Sequence, residues 1–151
     1  MIELAKGDLF ASDAEAFVNA VNCVGVMGGG IALAFKRAYP ANFVAYAAAC
    51  ERGEVRTGRM FVFDAGAGAQ PRYIVNFPTL SDWTEGATLA ILESGLAALA
   101  EEIRSRGIRS IAIPALGCGI GGLAWAEVRP RIEAALGGLD GVRVALYQPG
   151  E

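Results

Sequence analysis

Ser110-Ile111-Ala112-Ile113-Pro114-Ala115-Leu116-Gly117-Cys118-Gly119-Ile120-Gly121-Gly122-Leu123 joins an apolar run of strand length to a dense glycine cluster. The same design occurs earlier, where Ala16-Phe17-Val18-Asn19-Ala20-Val21-Asn22 leads into Cys23-Val24-Gly25-Val26-Met27-Gly28-Gly29-Gly30-Ile31-Ala32. Short runs of this kind, apolar without alternation, suit strands covered on both faces, as in parallel sheets. Beyond the first cluster, Ile31, Ala34, Phe35 and Ala38 recur at helical spacing and stop before Pro40. A second helix is predicted from Pro40 to about Arg52, with Gly53 as its stop.

Arg59–Phe63 and Arg72–Phe77 read as strands joined by a hairpin tip at Ala65–Gln70. Leu89, Leu92, Leu96, Leu99 and Ile103 form one stripe of a helix predicted over Ala87–Arg106 and ended by Gly107. A helix over Leu123–Leu136 and a last strand over Val142–Tyr147 follow. At the start, Met1–Ala5 reads as a strand, and Ser12-x-x-Glu15 as the cap of a short helical turn. Alternating strands and helices predict an α/β sheet covered on both faces, with ligands bound beyond the carboxyl ends of the strands. Both glycine clusters fall there.

The 151 residues suit one domain, 1–151, with no internal repeat or linker. Hydrophobic residues are 54% and charged residues 19%, enough apolar side chain to rule out intrinsic disorder. No apolar run reaches the roughly 18 residues of a membrane span, and the first residues lack a signal pattern, so a cytoplasmic protein is expected. The absence of histidine removes Ser-His-Asp and Cys-His catalysis and every imidazole-dependent zinc site. Cys23, Cys50 and Cys118 are widely spaced, which suggests neither a disulfide framework nor a thiolate cage. With 13 basic against 16 acidic residues, no global field favours polyanions. Lys36, Arg37, Arg52, Arg56 and Arg59 form at most a local patch, and surface helices carry such charges routinely.

Glycines at a strand-to-helix junction let backbone N–H groups approach an anion closely, and the helix terminus adds positive potential. Two such loops in one small domain can clamp two phosphates, which makes a diphosphate a natural guest. A chain reversal with no ligand is the plainer alternative for either loop alone. Neither loop is a Walker A, since no Gly-Lys-Ser/Thr follows. Cys118, with no histidine to activate it, is read as structural.

Gly7-Asp8-Leu9, Val18-Asn19-Ala20-Val21-Asn22, Val26–Ala32, Asn76-Phe77-Pro78-Thr79 and Ile113–Gly122 together resemble the motif series of macro domains, over essentially the whole chain. Asn22–Lys36 and Trp125–Val128 look most like the DNA ADP-ribosyl glycohydrolase antitoxins, with similarity also to the branch that removes ADP-ribose from protein carboxylates. The resemblance implies a three-layer α/β/α fold with a mixed, mostly parallel sheet. It also implies an ADP-ribose pocket, with neither metal nor cofactor.

By the same resemblance, Asp8 accepts the adenine amino group beside the Leu9 backbone, and Asn22 hydrogen-bonds the distal ribose as the catalytic residue. The loop of Val26, Met27, Gly28, Gly29, Gly30 and Ile31 wraps the diphosphate. Leu116, Gly117, Cys118, Gly119, Ile120 and Gly121 close over it and the distal ribose. Tyr147 flanks the adenine or its ribose, and Ala20, Thr79, Leu80 and Pro114 complete the ligand-binding set. Expected partners are an ADP-ribosylated DNA base, protein or small ester and a cognate ADP-ribosyltransferase toxin, with the chain itself a monomer.

Two departures stand out: leucine occupies position 80, where the antitoxin branch has a lysine acting on the anomeric carbon, and Gly29 stands where another lysine is expected. A leucine can neither form an adduct nor move a proton. Asp82 and Glu85 lie nearby, in a segment that reads as a solvated loop. The route compatible with Leu80 is substrate-assisted: the ligand's own phosphate and Asn22 orient a water while the loops strain the ribose and stabilise oxocarbenium-like charge. The alternative function is a noncatalytic reader of ADP-ribose.

Overall fold

A computed structural model describes residues 1–150. Six strands form one sheet in the order β1 (Ile2–Ala5), β6 (Arg143–Tyr147), β5 (Ser110–Ile113), β2 (Ala16–Val21), β4 (Tyr73–Pro78) and β3 (Phe61–Asp64). All neighbours are parallel except the hairpin pair β3 and β4. The sheet is mixed and mostly parallel, as expected.

The strand period of two sorts side chains between the faces. Ala16 and Val18 of β2, Tyr73, Val75 and Phe77 of β4, and Ile111 and Ile113 of β5 enter one cluster with α3 (Leu89–Arg106) and α4 (Trp125–Leu136). Phe17, Ile74 and Ala112 point the other way, toward Phe35 of α1 (Gly30–Ala38). Val21 packs on that second face too, with Tyr46 and Ala49 of α2 (Pro40–Glu51). Two helices therefore cover each face, giving the α/β/α layering.

Helix boundaries follow local chemistry. The Thr88 hydroxyl caps α3 by accepting from Ile91 N at 3.1 Å, and Gly107 ends the helix in the left-handed region at φ 64°. Pro40 occupies the first turn of α2. One expectation fails: Ser12 starts no helical turn, and instead its backbone N–H closes the one before it by donating to Leu9 O at 3.0 Å. The 3-10 turn Leu9–Ala11 comes before it, capped by Asp8, and Ser12 is already extended with its hydroxyl accepting from Ala14 N at 3.1 Å. Glu15 turns elsewhere, accepting from Arg109 N at 3.0 Å. α4 begins at Trp125 instead of Leu123, because residues 117–123 form a glycine-rich turn.

Gly95 sets how closely α3 approaches β4. A Cβ there would lie 2.5 Å from Cε1 of the fully buried Phe77, which cannot swing aside. Alanine would gain about 1 kcal/mol of helix propensity and lose roughly 1–3 kcal/mol to overpacking. Because the overlap involves two ring atoms, overpacking should win. Gly95→Ala is expected to lower the melting temperature by several degrees, and a scanning calorimetry trace at or above wild type would contradict this packing.

Candidate functional site

β2 and β5 are parallel neighbours, so their carboxyl-terminal loops emerge side by side. Between them lies a cavity of about 400 Å3. The first loop supplies Val26, Gly28, Gly29, Gly30 and Ile31 to its lining, and the second Gly117, Gly119, Ile120 and Gly121. Ala20, Asn22, Thr79, Leu80 and Pro114 also line it. These are most of the residues singled out in the sequence.

Backbone donors concentrate on both sides. Gly29 caps α1 without a side-chain hydrogen bond, and the first intrahelical bond runs from Leu33 N to Gly29 O. The N–H groups of Gly30, Ile31 and Ala32 are therefore the uncommitted donors of a helix terminus, with no acidic residue in the first turn. Across the cavity, the N–H groups of Gly119, Ile120 and Gly121 donate to no acceptor among the described residues. The turn that presents them is closed by Gly122 N donating to Gly119 O at 3.1 Å and Leu123 N to Gly117 O at 2.8 Å. Gly121 must lack a side chain, since its Cβ would lie 2.7 Å from Gly117 O and 2.8 Å from Ala87 Cβ.

Asn22, at the end of β2, has three of its amide interactions committed. Its Nδ2 donates to Val26 O at 2.9 Å, and its Oδ1 accepts from Val24 N at 3.1 Å and from the Tyr46 hydroxyl. One Nδ2 hydrogen remains. Asn22 is thus a donor toward the cavity, since both oxygen lone pairs are taken.

No lining residue is ionisable; the polar side chains are Asn22, Thr79 and Trp83. Leu80, only 6% exposed, contributes apolar wall. Asp82 and Glu85 do not line the cavity, and Asp82 caps its own turn by accepting from Thr84, whose hydroxyl and backbone bonds hold its carboxyl below the usual range. The basic patch lies elsewhere: Lys36 sits over the Phe43 ring, and Arg52 pairs with Glu54. Cys118 is outside the lining, and burial raises its thiol, which disfavours the thiolate. Among the described residues no group of three potential metal ligands exists, and no helix is long and apolar enough to cross a membrane.

Five further sequence-selected residues lie outside the lining. Met27 and Leu116 are core, the former with its Sδ 3.8 Å from the buried Asn19 amide nitrogen. Asp8 accepts from Phe10 N at 2.9 Å, leaving one oxygen unpartnered. Leu9 belongs to the cluster against which Tyr147 and Ile31 both pack. Ile31 also lines the cavity, so the cluster that holds Leu9 and receives Tyr147 reaches the cavity wall through it, with Asp8 next to Leu9 in the chain.

Sequence reading missed Val21, Ala32, Trp83 and Ala115, which line the cavity. For Trp83 a signal existed, a lone aromatic in the polar segment 81–85; it is 57% exposed at the mouth. The others are small or apolar and carry no signal.

A family model described as "Macro domain" matches residues 18–132. The chain is a macro domain. This macro domain is 52% identical over its whole length to the DNA ADP-ribosyl glycohydrolase of Thermus aquaticus, and 50% identical over 99% of its length to that of Mycobacterium tuberculosis. It spans about two fifths of those relatives, 42% of each. The solved macrodomain of Thermus aquaticus DarG superposes with a TM-score of 0.95, covering 99% of both chains. Thermosipho africanus DarTG in complex with ADP-ribose matches with a TM-score of 0.90 at 33% identity, covering 98% of this chain and 41% of that one.

Proposed function

We propose that this macro domain binds ADP-ribose and releases it from an ADP-ribosylated acceptor by attack of a positioned water. The observation that carries the reading is the pair of facing backbone-donor sets, Gly30–Ala32 and Gly119–Gly121, on one 400 Å3 cavity. A diphosphate satisfies both sets without a basic side chain. Support also comes from the ADP-ribose complex of the Thermosipho africanus relative and from the names of the glycohydrolase relatives.

In this reading the free Nδ2–H of Asn22 donates to an oxygen of the distal ribose and fixes the anomeric carbon. The water's oxygen forms the new bond to that carbon as the bond to the acceptor breaks, its electron pair leaving with the acceptor. The water's proton passes to a phosphate oxygen of the ligand and on to the acceptor. The acceptor is a modified nucleobase or a protein carboxylate. With an O-acetyl ester the same water attacks the acyl carbon instead, the acyl C–O bond breaks with its electron pair going to the ribose oxygen, which takes the proton, and acetate is released. A cytoplasmic setting and a cognate ADP-ribosyltransferase toxin fit the same reading, the latter because the Thermosipho africanus relative is named as a transferase–glycohydrolase fusion. The adenine falls to Asp8 and Tyr147.

A second reading, a noncatalytic reader, is favoured by one observation: no ionisable group lines the cavity. Incubation with ADP-ribosylated thymidine oligonucleotide, ADP-ribosylated protein and O-acetyl-ADP-ribose separates the two. Release of free ADP-ribose is expected from at least one of them, and tight binding without release from all three establishes the reader. Because neither the lining nor the diphosphate titrates near neutrality, release from an N-glycosidic link should vary less than about twofold between pH 6 and 8.5. A bell-shaped profile would require an ionisable residue that the lining lacks.

A further inference from the structure

We infer that Tyr46 is a positioning residue for the site, its buried hydroxyl locking the Asn22 carboxamide so that only an N–H faces the ligand. This rests on the role given to Asn22 above. Tyr46 lies on α2, is 0% exposed, and sits in a cluster with Val21 of β2 and Met27 of the first glycine loop. Its hydroxyl reaches both oxygens of Asn22, the backbone carbonyl at 2.9 Å and Oδ1 at 2.5 Å. Burial pushes the phenol well above its ordinary pKa, so it stays a donor at every working pH.

Two of the three hydrogen bonds that orient the amide come from within residues 22–26, from Val24 N and to Val26 O. These two move with the loop. The Tyr46 bond alone ties the amide to a helix, which gives the loop an external reference. It also removes an alternative: an Asn22 oxygen with a free lone pair would present an acceptor to the cavity, repelling ligand oxygens. Donation onto Oδ1 further polarises the amide and strengthens its remaining N–H as a donor. No ligand need touch Tyr46 for it to affect binding.

Tyr46→Phe keeps the ring and removes the bond. It is expected to weaken ADP-ribose binding about fivefold or more by calorimetry. In an Asn22→Ala background the same change should cost less than about twofold, because its effect passes through the amide. Val55→Ala, which loosens the same cluster without touching Asn22, should leave affinity within about twofold of wild type.

Equal losses from Tyr46→Phe in both backgrounds, or unchanged binding by the single variant, would overturn the inference. If the wild-type protein binds no ADP-ribose, the functional reading falls first. The geometry is then judged without ligand or variant: the wild-type Tyr46 hydroxyl proton is expected as a resolved, slowly exchanging NMR signal with cross-peaks to Asn22. Absence of that signal refutes the inference even where Tyr46→Phe fails to fold.

Discussion

Gly119→Glu is expected to bind ADP-ribose at least about a hundredfold more weakly than wild type while melting within about two degrees of it. A Cβ at Gly119 meets nothing within 4 Å, and the position is exposed on the cavity wall, so the fold tolerates a side chain there. The carboxylate then stands among the N–H groups of Gly119, Ile120 and Gly121, where the diphosphate is proposed to sit. Placed there it acts twice, filling space and repelling like charge in a partly enclosed site where screening is weak. A hundredfold loss corresponds to about 2.7 kcal/mol, within reach of one close like-charge contact at reduced dielectric. Calorimetric titration beside a thermal melt checks both halves. Wild-type affinity in a folded variant would move the diphosphate away from the second loop.

Leu80→Lys is expected to raise release of ADP-ribose from ADP-ribosylated thymidine oligonucleotide at least about tenfold at pH 8, and to make the rate climb with pH. Leu80 is nearly buried, and its lining holds no carboxylate to pair with an ammonium. Desolvation disfavours the charged form, so the introduced amine should titrate below its usual value of about 10.4, its neutral, nucleophilic fraction growing as pH rises. The wild-type rate is expected to be flat over the same range, so the slope itself reports the new group. Burying the amine costs roughly 1–3 kcal/mol, and the variant should melt lower. A rate that neither rises nor acquires a slope would place Leu80 away from the anomeric carbon. Gly29 is the other position where the related branch carries a lysine. Its backbone is extended at φ −163°, and a Cβ there would make ordinary contact with Ile120 Cδ1 at 3.6 Å. The backbone leaves room for a side chain there.

With no ionisable group in the lining, the proposed ligand meets only neutral polar atoms. Thr79 is buried at 6% exposure, and Trp83 stands open at the mouth with no aromatic or cationic partner among the described residues. Between them and the two donor sets, the recognition proposed above falls on backbone geometry. That geometry is held by glycines at the crowded positions and by the Asn22 contacts at the end of β2.

Much of this was legible in the chain itself, because the signals are local. The apolar runs 16–22 and 110–113, the helical stripe from Leu89 to Ile103, the stop at Gly107 and the hairpin near residue 66 each concern neighbours within a few turns or strand lengths. The mistaken cap at Ser12 was local as well: a hydroxyl two residues before Ala14 bonds it as readily as one three residues before a helix, and the apolar context that separates the cases is tertiary. Glycine content marked both loops, and the motif series marked the family.

Adjacency was not legible. Nothing in residues 16–32 or 110–123 states that β2 and β5 pair, yet that pairing brings two donor sets to one cavity. Nor does Tyr46 advertise itself: at 24 residues from Asn22 it reads as one more apolar position of a helix. Propensity, period and capping act over short separations, so the order of residues is enough to give the elements, their layering and the glycine-lined chemistry. Tertiary structure alone decided which backbone donors face each other and which side of the Asn22 amide meets a ligand, since those depend on contacts closed across long stretches of chain.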